Sequence, residues 1–213
     1  GSNIFEWDSA STDADNGGTI IEVTGVVTGR YKLRYDGSVN VKWFGAVGDG
    51  ITDDTVALRN FTKADGTSFY LPSGEYVVSY DGEKLWDSYT SDTMFKEGSY
   101  VWGDGESSTV IRFEYGYNTT PIVFGSNEKS MSFSNLSILG SFSGVSDDPS
   151  YRYIGIRMVD KQENFTFTNV TIGKFPSIGI QIQGLCKNIT FDNCTFNNNA
   201  EALLVVARCV VLC

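Results

Sequence analysis

Histidine is absent from the 213-residue sequence. This absence excludes Ser-His-Asp and Cys-His nucleophile arrangements and histidine-ligated zinc. It also removes the side chain best suited to proton transfer near neutral pH. Any catalysis by this chain must therefore use carboxylates, tyrosine, lysine or arginine, and the sequence indicates no metal and no cofactor.

Basic residues and long apolar runs are scarce. Lys and Arg number 16 against 26 Asp and Glu, a formal net charge of −10. Phosphate contacts need Lys or Arg, so this balance disfavours nucleic acid and anionic membranes as partners. No apolar run approaches the ~20 residues of a membrane span. We expect neither nucleic acid binding nor membrane insertion.

The cysteines follow no recognised pattern. All four, Cys186, Cys194, Cys209 and Cys213, lie near the end of the sequence, and no Cys-Xaa-Xaa-Cys occurs. Their spacing fits neither a zinc site nor a small disulfide framework. We interpret them as reduced, mostly buried thiols that act as small apolar side chains.

Short β-prone runs alternate with turn residues throughout, and one segment has helical spacing. That helix is predicted to begin at Thr52 with Asp53 and Asp54 in its first turn, where carboxylates suit exposed N–H groups. Its apolar side consists of Ala57, Leu58 and Phe61. Its polar side consists of Arg59, Asn60 and Lys63. The helix can cover the N-terminal end of a β-rich region.

A repeat follows the helix. The segments SFSNLSI, TFTNVTI and TFDNCTF share the form Xaa-Phe-Xaa-Asn-apolar-Xaa-apolar and place their asparagines at 135, 169 and 193. The separations are 34 and 24, and turn formers at residues 143–150 account for the longer one. The common period near 24 is typical of solenoids.

The repeat has a mechanical interpretation. The phenylalanine two residues before each asparagine points inward, and the apolar residue after the asparagine breaks strand alternation, so the chain must bend there. Asparagine tolerates the left-handed conformation of such a bend. Stacked coils would align Asn135, Asn169 and Asn193 in a column, the signature of a parallel β-helix. The sequence stops inside a coil, and we expect the open end to continue or to be covered.

Three segments resemble a known superfamily. NVKWFGAVGDGITDDT (residues 40–55) and LPSGEYVV (71–78) resemble the opening of the pectate-lyase-like right-handed β-helix superfamily. GRYKLRYDGSVN (29–40) resembles the neck of bacteriophage tailspikes and capsule depolymerases. The resemblance implies an all-β fold: a right-handed parallel β-helix with a short N-terminal capping α-helix and a β-rich neck. It divides the chain into a neck at 1–39 and N-terminal coils at 40–213.

The resemblance also implies a function. Such proteins are homotrimers on the phage tail or baseplate, and they recognise and often cleave capsular or O-antigen polysaccharide outside the bacterial cell. Two alternatives stay open: a non-catalytic attachment or glycan-binding module, and a secreted bacterial pectate-lyase-like enzyme.

The acidic motif in this opening is interpreted as a turn and helix cap. An EF-hand calcium loop needs glycine at its sixth position and glutamate at its twelfth, where this sequence has Asp54 and Asn60. A phosphate loop needs lysine where Ile51 stands. The residues taken as structural here are Asp49, Gly50, Thr52, Asp53 and Asp54.

Glycan hydrolysis needs two carboxylates, about 5 Å apart for retention or about 6.5–9.5 Å for inversion. We compared equivalent positions in the three repeats. They are Ser134, Thr168 and Asp192; Ser143, Ser177 and Glu201; and Lys129, Glu163 and Lys187. No column holds two acids, and the last predicts cross-coil charge pairing. Asp160, Glu163 and Glu201 are the catalytic candidates.

A lyase would instead neutralise a uronic acid with tyrosine, lysine or arginine. Tyr151, Arg152, Tyr153 and Arg157 form a candidate surface for an anionic sugar. The simpler alternative is a set of exposed side chains beside a strand.

Aromatic residues make up 14% of the sequence. Trp86 and Trp102 are candidates for stacking against sugar rings. Packing in the core and at its rim is the alternative.

Overall fold

A computed structural model describes residues 4–88, 95–114, 120–125, 130–141, 153–206 and 211–212. The first three strands form an antiparallel sheet in the order β1-β3-β2. Their bounds are Ile4–Asp8 for β1, Ile20–Glu22 for β2 and Arg30–Arg34 for β3. This sheet occupies most of the predicted neck. The division at residue 39 stays a prediction, and the two-residue strand β4 (Val39–Asn40) spans it.

Two larger sheets contain the remaining strands, and their strands pair in parallel. The eleven-stranded sheet comprises β4, β5 (Asp49–Asp53), β6 (Ser68–Leu71), β7 (Gly74–Ser79), β9 (Tyr100–Gly103), β10 (Thr109–Glu114), β12 (Ser132–Gly140), β14 (Glu163–Gly173), β16 (Lys187–Asp192), β17 (Thr195–Asn197) and β19 (Val211–Leu212). The five-stranded sheet comprises β8 (Trp86–Asp87), β11 (Ile122–Phe124), β13 (Ile154–Met158), β15 (Ile178–Gln183) and β18 (Glu201–Val206).

The chain visits these two sheets in turn. β13 pairs with β15 while β14, which follows β13, pairs with β16, so equivalent segments lie beside one another. The predicted all-β class with mostly parallel strands and one α-helix is confirmed. The right-handed, closed solenoid and its cap stay predictions.

The predicted asparagine column is confirmed. Asn169 Nδ2 donates to Asn135 Oδ1 at 2.9 Å, and Asn193 Nδ2 donates to Asn169 Oδ1 at 2.7 Å. All three have positive φ, between 49° and 55°. Each amide therefore satisfies its neighbour while its backbone makes the bend.

The phenylalanines before these asparagines stack inside the molecule. The Phe133 and Phe167 ring centroids lie 5.4 Å apart with planes 11° apart, and those of Phe167 and Phe191 lie 5.1 Å apart at 16°. All three rings belong to the continuous core. The inward direction predicted from strand alternation is confirmed.

A second asparagine pair was not predicted. Asn188 Nδ2 donates to Asn164 Oδ1 at 2.9 Å, and both residues have positive φ. Ser130, also at positive φ, stands five residues before Asn135 as Asn164 stands five before Asn169. The separation of 24 residues between Asn164 and Asn188 equals the repeat period and could have predicted this pair.

The predicted helix start is wrong. The α-helix α1 runs from Thr55 to Phe61, because Asp49–Asp53 forms β5 and pairs with β7. Asp54 is the residue before α1, and its carboxylate accepts from the backbone N–H groups of Val47 at 2.6 Å and Gly48 at 3.0 Å. A 3₁₀ helix, Val41–Phe44, precedes this loop.

The prediction that Arg59 lies on an exposed polar side of the helix is wrong, because Arg59 is buried. Its guanidinium donates to the Asp81 carboxylate, at 2.5 Å from Nη1 and 2.8 Å from Nη2. The apolar side is confirmed: Leu58 and Phe61 are fully buried. Among the described residues no helix is both long and apolar enough to cross a membrane.

One predicted register is off by a residue. Glu201 pairs with Ile178 and not with Ser177. The turn between β17 and β18 is one residue shorter than the turn between β14 and β15, since Asn197 still pairs with Gly173. Cys186 is buried as expected and Cys194 is partly buried, while Cys209 and Cys213 lie outside the described residues.

Candidate functional site

The acidic motif is held by its own backbone. Asp49 Oδ1 accepts from the N–H groups of Ile51 at 2.9 Å and Thr52 at 2.7 Å, and Oδ2 accepts from Thr52 Oγ1 at 2.9 Å. These bonds, that of the Thr52 N–H foremost, hold the pKa of Asp49 below its ordinary value. Asp53 Oδ1 accepts from the N–H of Thr55 at 3.0 Å. These bonds form a bend inside β5, where its pairing with β7 shifts register between Asp49 and Asp53, and Gly50 supplies a positive φ of 76°.

Two basic side chains, Arg112 and Lys32, each contact two carboxylates. Arg112 contacts both Glu75 and Glu114, and its Nη2 also donates to the Gly50 carbonyl at 2.9 Å. Lys32 bridges Asp8 at 3.0 Å and Asp13 at 2.8 Å. Each of these cations joins two acids, so the contacts are interpreted as structural bridges.

The pKa values of six carboxyl groups also indicate a structural role. A carboxyl group that acts as general acid near neutral pH needs a raised pKa. Six carboxyl groups instead have a pKa below the ordinary value: Asp8, Asp13, Asp49, Asp53, Asp81 and Asp104. None of these six is suited to that role.

The three catalytic candidates lie in separate local settings. Asp160 is an exposed residue at positive φ in the bend between β13 and β14. Glu163 pairs with Lys187 on the adjacent strand, with 3.8 Å between Nζ and Oε1, which confirms the predicted charge pairing for these two residues, while Lys129 lies outside the described residues. Glu201 begins β18 in the other sheet. In the described part of the chain, no hydrogen bond or ion pair joins any two of them.

Arg157 lies on the outward face of the five-stranded sheet. Its neighbours Ile156 and Met158 are buried in the core, so alternation directs Arg157 outward. Gln183 Oε1 accepts from its Nε at 3.0 Å and its Nη2 at 2.6 Å. Gln181 pairs with Arg157 on the adjacent strand. We call Arg157, Gln181 and Gln183 the Arg157 face, a cation flanked by two amides.

Sequence reasoning missed Asp87, an acid that lies two strands away from Arg157 in the same column of paired residues. Asp87 pairs with Val123, which pairs with Arg157. The carboxylate of Asp87 is 3% exposed and lies 2.7 Å from Lys84 Nζ. Asp87 precedes the repeats, in a two-residue strand without their pattern, so the sequence carried no signal for it.

Two of the aromatic residues predicted to bind sugar are buried instead of exposed. Trp86 is fully buried and its Nε1 donates to the Leu58 carbonyl at 3.4 Å, so it is a core residue. Tyr153 is 3% exposed and packs on Phe175, with ring centroids 5.8 Å apart. Tyr151 and Arg152 lie outside the described residues.

Trp102, in contrast, lies on the outward face of the eleven-stranded sheet. Tyr70 pairs with it on the adjacent strand, and their ring centroids lie 4.2 Å apart. Tyr100, on the same strand, has its ring plane within 12° of Trp102. Asp104 follows, and its Oδ1 accepts from the Tyr70 hydroxyl at 2.8 Å. We call Tyr70, Tyr100, Trp102 and Asp104 the Trp102 face.

Comparison with protein families matches one segment of the chain. Residues 38–141 match the family model described as rhamnogalacturonase A/epimerase, pectate lyase-like. The matched segment contains the acidic motif, α1 and the Trp102 face. Arg157 lies beyond it.

Two similar proteins come from Azotobacter vinelandii. Mannuronan C5-epimerase AlgE5 is 37% identical over 111 residues, which is 48% of this chain and 11% of the relative. Alginate lyase 7 is 43% identical over 83 residues, 37% of this chain and 9% of the relative. The chain thus spans about a tenth of these relatives, whose names describe polysaccharide-modifying enzymes.

A solved structure with a similar fold is a tailspike protein, gp49 of Acinetobacter baumannii bacteriophage Fri1, a capsular polysaccharide depolymerase. The superposition has a TM-score of 0.59 with 16% identity and covers 98% of this chain and 47% of the tailspike. At this identity the likeness concerns the fold, and it extends over the neck as well as the coils.

Proposed function

We propose that this chain is the N-terminal part of a phage tailspike whose coils recognise bacterial surface polysaccharide, capsular or O-antigen. The observation that carries the proposal is the order of parts: an antiparallel neck sheet, then one α-helix, then parallel coils. The whole protein would also depolymerise the polysaccharide, acting from the virion at the outside of the cell.

In this proposal the coils form a right-handed parallel β-helix and α1 covers its N-terminal end. Leu58 and Phe61 of α1 are fully buried, and Phe61 makes edge contacts with Phe44, Phe69 and Phe95 at 5.1–5.9 Å between centroids. Val56, on the other side, is 66% exposed. One covered side and one exposed side are what a cap requires.

The neck supplies the proposed trimer contact and lies next to the region that would attach to the tail or baseplate. Phe5, Trp7 and Tyr31 lie on one face of the neck sheet and are each 43% exposed. The opposite face carries ion pairs, including Arg34 with Glu6 at 2.6 Å. An exposed aromatic face is suited to burial against further copies of the chain.

We propose the Arg157 face as the site for an acidic sugar. Gln183 holds the guanidinium in one orientation, and a guanidinium recognises carboxylates through paired N–H donors. Asp160, Glu163 and Glu201 stay the carboxylates to test for catalysis. Their separate settings favour binding over turnover by these coils, which is the non-catalytic alternative.

The test measures binding and turnover with one preparation. Capsular polysaccharides from a panel of capsulated bacteria are titrated against the chain, and released reducing ends or unsaturated ends are assayed in parallel. We expect binding to one acidic polysaccharide, weakened about tenfold or more in Arg157→Ala because a charge-assisted contact is lost. Arg34→Ala, in the exposed neck pair, is the matched control. Absence of binding across the panel would refute recognition by this chain.

The similarity to the Azotobacter proteins favours a second candidate, a secreted bacterial enzyme that modifies a uronic-acid polysaccharide. Alginate and mannuronan are the substrates to test, with NMR of the products for epimerisation and absorbance for lyase activity. Turnover of either polymer would favour this candidate over the tailspike.

A further inference from the structure

Two rings of the Trp102 face extend along the sheet in opposite directions, while Tyr70 stacks against Trp102. The Tyr100 hydroxyl is 2.7 Å from Ser134 Oγ, on the strand that follows β9 in the sheet. Trp102 Nε1 donates to Ser38 Oγ at 3.2 Å, on the far side of β6. With planes 12° apart and centroids separated by 6.4 Å, the two rings extend over neighbouring strands on either side of β9.

An acceptor stands at the edge of these rings. Asp104 is exposed, and its carboxylate accepts from the Tyr70 hydroxyl at 2.8 Å, the Ser73 N–H at 2.7 Å and Ser73 Oγ at 2.9 Å. A carboxylate has about four acceptor positions, so capacity for one further donor is left. The Tyr70 bond holds the pKa of Asp104 below its ordinary value, so the group stays an ionised acceptor.

Small hydroxyl side chains continue the face on the following strands. Strand pairing places residues next to Tyr100 and Trp102 in two outward columns. The columns run through Ser132, Thr166 and Thr190, and through Ser134 and Thr168. They leave a shallow polar strip beside the aromatic rings, along which a polymer could extend.

We propose that the Trp102 face binds a neutral pyranose unit of a polysaccharide, a subsite distinct from the Arg157 face. The C–H face of the sugar stacks on the Trp102 and Tyr100 rings, whose π-faces carry negative charge density. A sugar hydroxyl donates to Asp104. The ionised Asp104 and the net charge of −10 disfavour a uronate at this position. This inference rests on the proposed function, because it assumes a polysaccharide ligand.

The experiment uses an array of neutral glucose, galactose and mannose oligosaccharides beside alginate oligosaccharides. The intact chain, Trp102→Ala, Tyr100→Ala and the control Arg34→Ala are applied to it, and hits are titrated by calorimetry. We expect Trp102→Ala to weaken neutral-sugar binding about tenfold or more, since truncating an aromatic anchor removes the main contact. Arg34→Ala, in the exposed pair with Glu6 and far in sequence from this face, should leave neutral-sugar binding unchanged.

Two further variants separate ring from hydrogen bond. Trp102→Phe keeps a ring and Ser38→Ala keeps the indole without its bond, so both should retain binding within about threefold, well below the tenfold loss. If Trp102→Ala does not fold, Tyr100→Ala tests the same face from a more exposed position. Neutral-sugar binding that survives both alanine variants would overturn this subsite and leave the proposed function standing. No binding of the intact chain to any neutral sugar would overturn this subsite alone, whereas the added absence of binding across the capsular polysaccharide panel would overturn both.

Discussion

At the residue scale, the asparagine column does two things at once. Each asparagine adopts a backbone conformation that costs most side chains about 1–2 kcal/mol. Each amide also exchanges hydrogen bonds with the next coil, so a polar group at the bend is satisfied without water. Both properties follow from side-chain chemistry, which explains why three short segments sufficed to predict the column.

Asn169, in the middle of the column, gives the sharpest stability prediction. Asn169→Ala loses the bonds to Asn135 and Asn193 and places alanine, which tolerates the left-handed conformation less well than asparagine, at φ 53°. We expect the free energy of unfolding to fall by about 2–4 kcal/mol. Asn169→Gly loses the same bonds but tolerates the φ, so it should lose about 1 kcal/mol less. Denaturant unfolding measures both, and equal losses would show that the conformation contributes nothing.

The Arg59–Asp81 pair predicts a pH dependence. The Arg59 hydrogen bonds lower the pKa of Asp81 to about 2, from 3.8. A lowered folded-state pKa stabilises the fold above the unfolded pKa near 4, and that stabilisation is lost as the pH falls towards 2. Asp81 is about half exposed, so the pair contributes under about 1 kcal/mol.

Thermal unfolding between pH 2 and pH 7 checks this dependence. Asp81→Asn should be less stable than the intact chain at neutral pH, and the difference should shrink below pH 4 as Asp81 protonates. Asp36→Asn, at an exposed acid in the turn after β3, is the control. A difference that stays constant across the range would contradict the assignment.

At the element scale, periodic strands were predictable and isolated ones were not. The repeats at Asn135, Asn169 and Asn193 defined their strands because alternation and bend residues recur. The sequence predicts a helix start at Thr52, since two adjacent acids, Asp53 and Asp54, before an apolar stripe resemble a first turn, yet Thr52 and Asp53 belong to β5. Pairing with β7 overrides that local preference, and pairing partners are not visible in a local sequence window.

In the candidate site as well, residues in periodic strands were predictable and residues in a short isolated strand were not. Trp86 and Trp102 look alike in sequence, yet one is fully buried and the other lies on an outward face. Trp86 belongs to a two-residue strand, too short for alternation to indicate its direction. Asp87 shares that strand and was missed for the same reason.

The helix α1 yields a paired test of its covered side. Leu58→Ala removes a fully buried side chain from the contact of α1 with the core, and we expect a loss of about 2–5 kcal/mol in the free energy of unfolding. Val56→Ala, on the exposed side of the same helix, should change it by under about 0.5 kcal/mol. Denaturant titrations compare the two. Equal effects would show that α1 does not depend on its buried side.

At the scale of the whole molecule, the antiparallel sheet at the start of the chain and the two parallel sheets bury their apolar residues to different extents. Residues of the parallel sheets and α1 form one continuous core that extends from Val39 to Phe191. The neck sheet has three strands and leaves aromatic side chains exposed on one face. A small sheet of this kind gains stability by burying that face against a partner.

The final prediction concerns that face. We expect the chain to sediment as a trimer of roughly 70 kDa, three times 23.4 kDa, because closed rotational symmetry lets three copies cover one another's aromatic faces. Phe5→Lys places a charge on edge strand β1 and should shift the protein to monomer, since lysine on an edge opposes association. Glu6→Gln, on the opposite face of the same strand, should leave the trimer intact. Sedimentation velocity over a hundredfold concentration range distinguishes the species. A monomer at every concentration would exclude the trimer, whereas a trimer that persists in Phe5→Lys would move the contact from the neck to the coils.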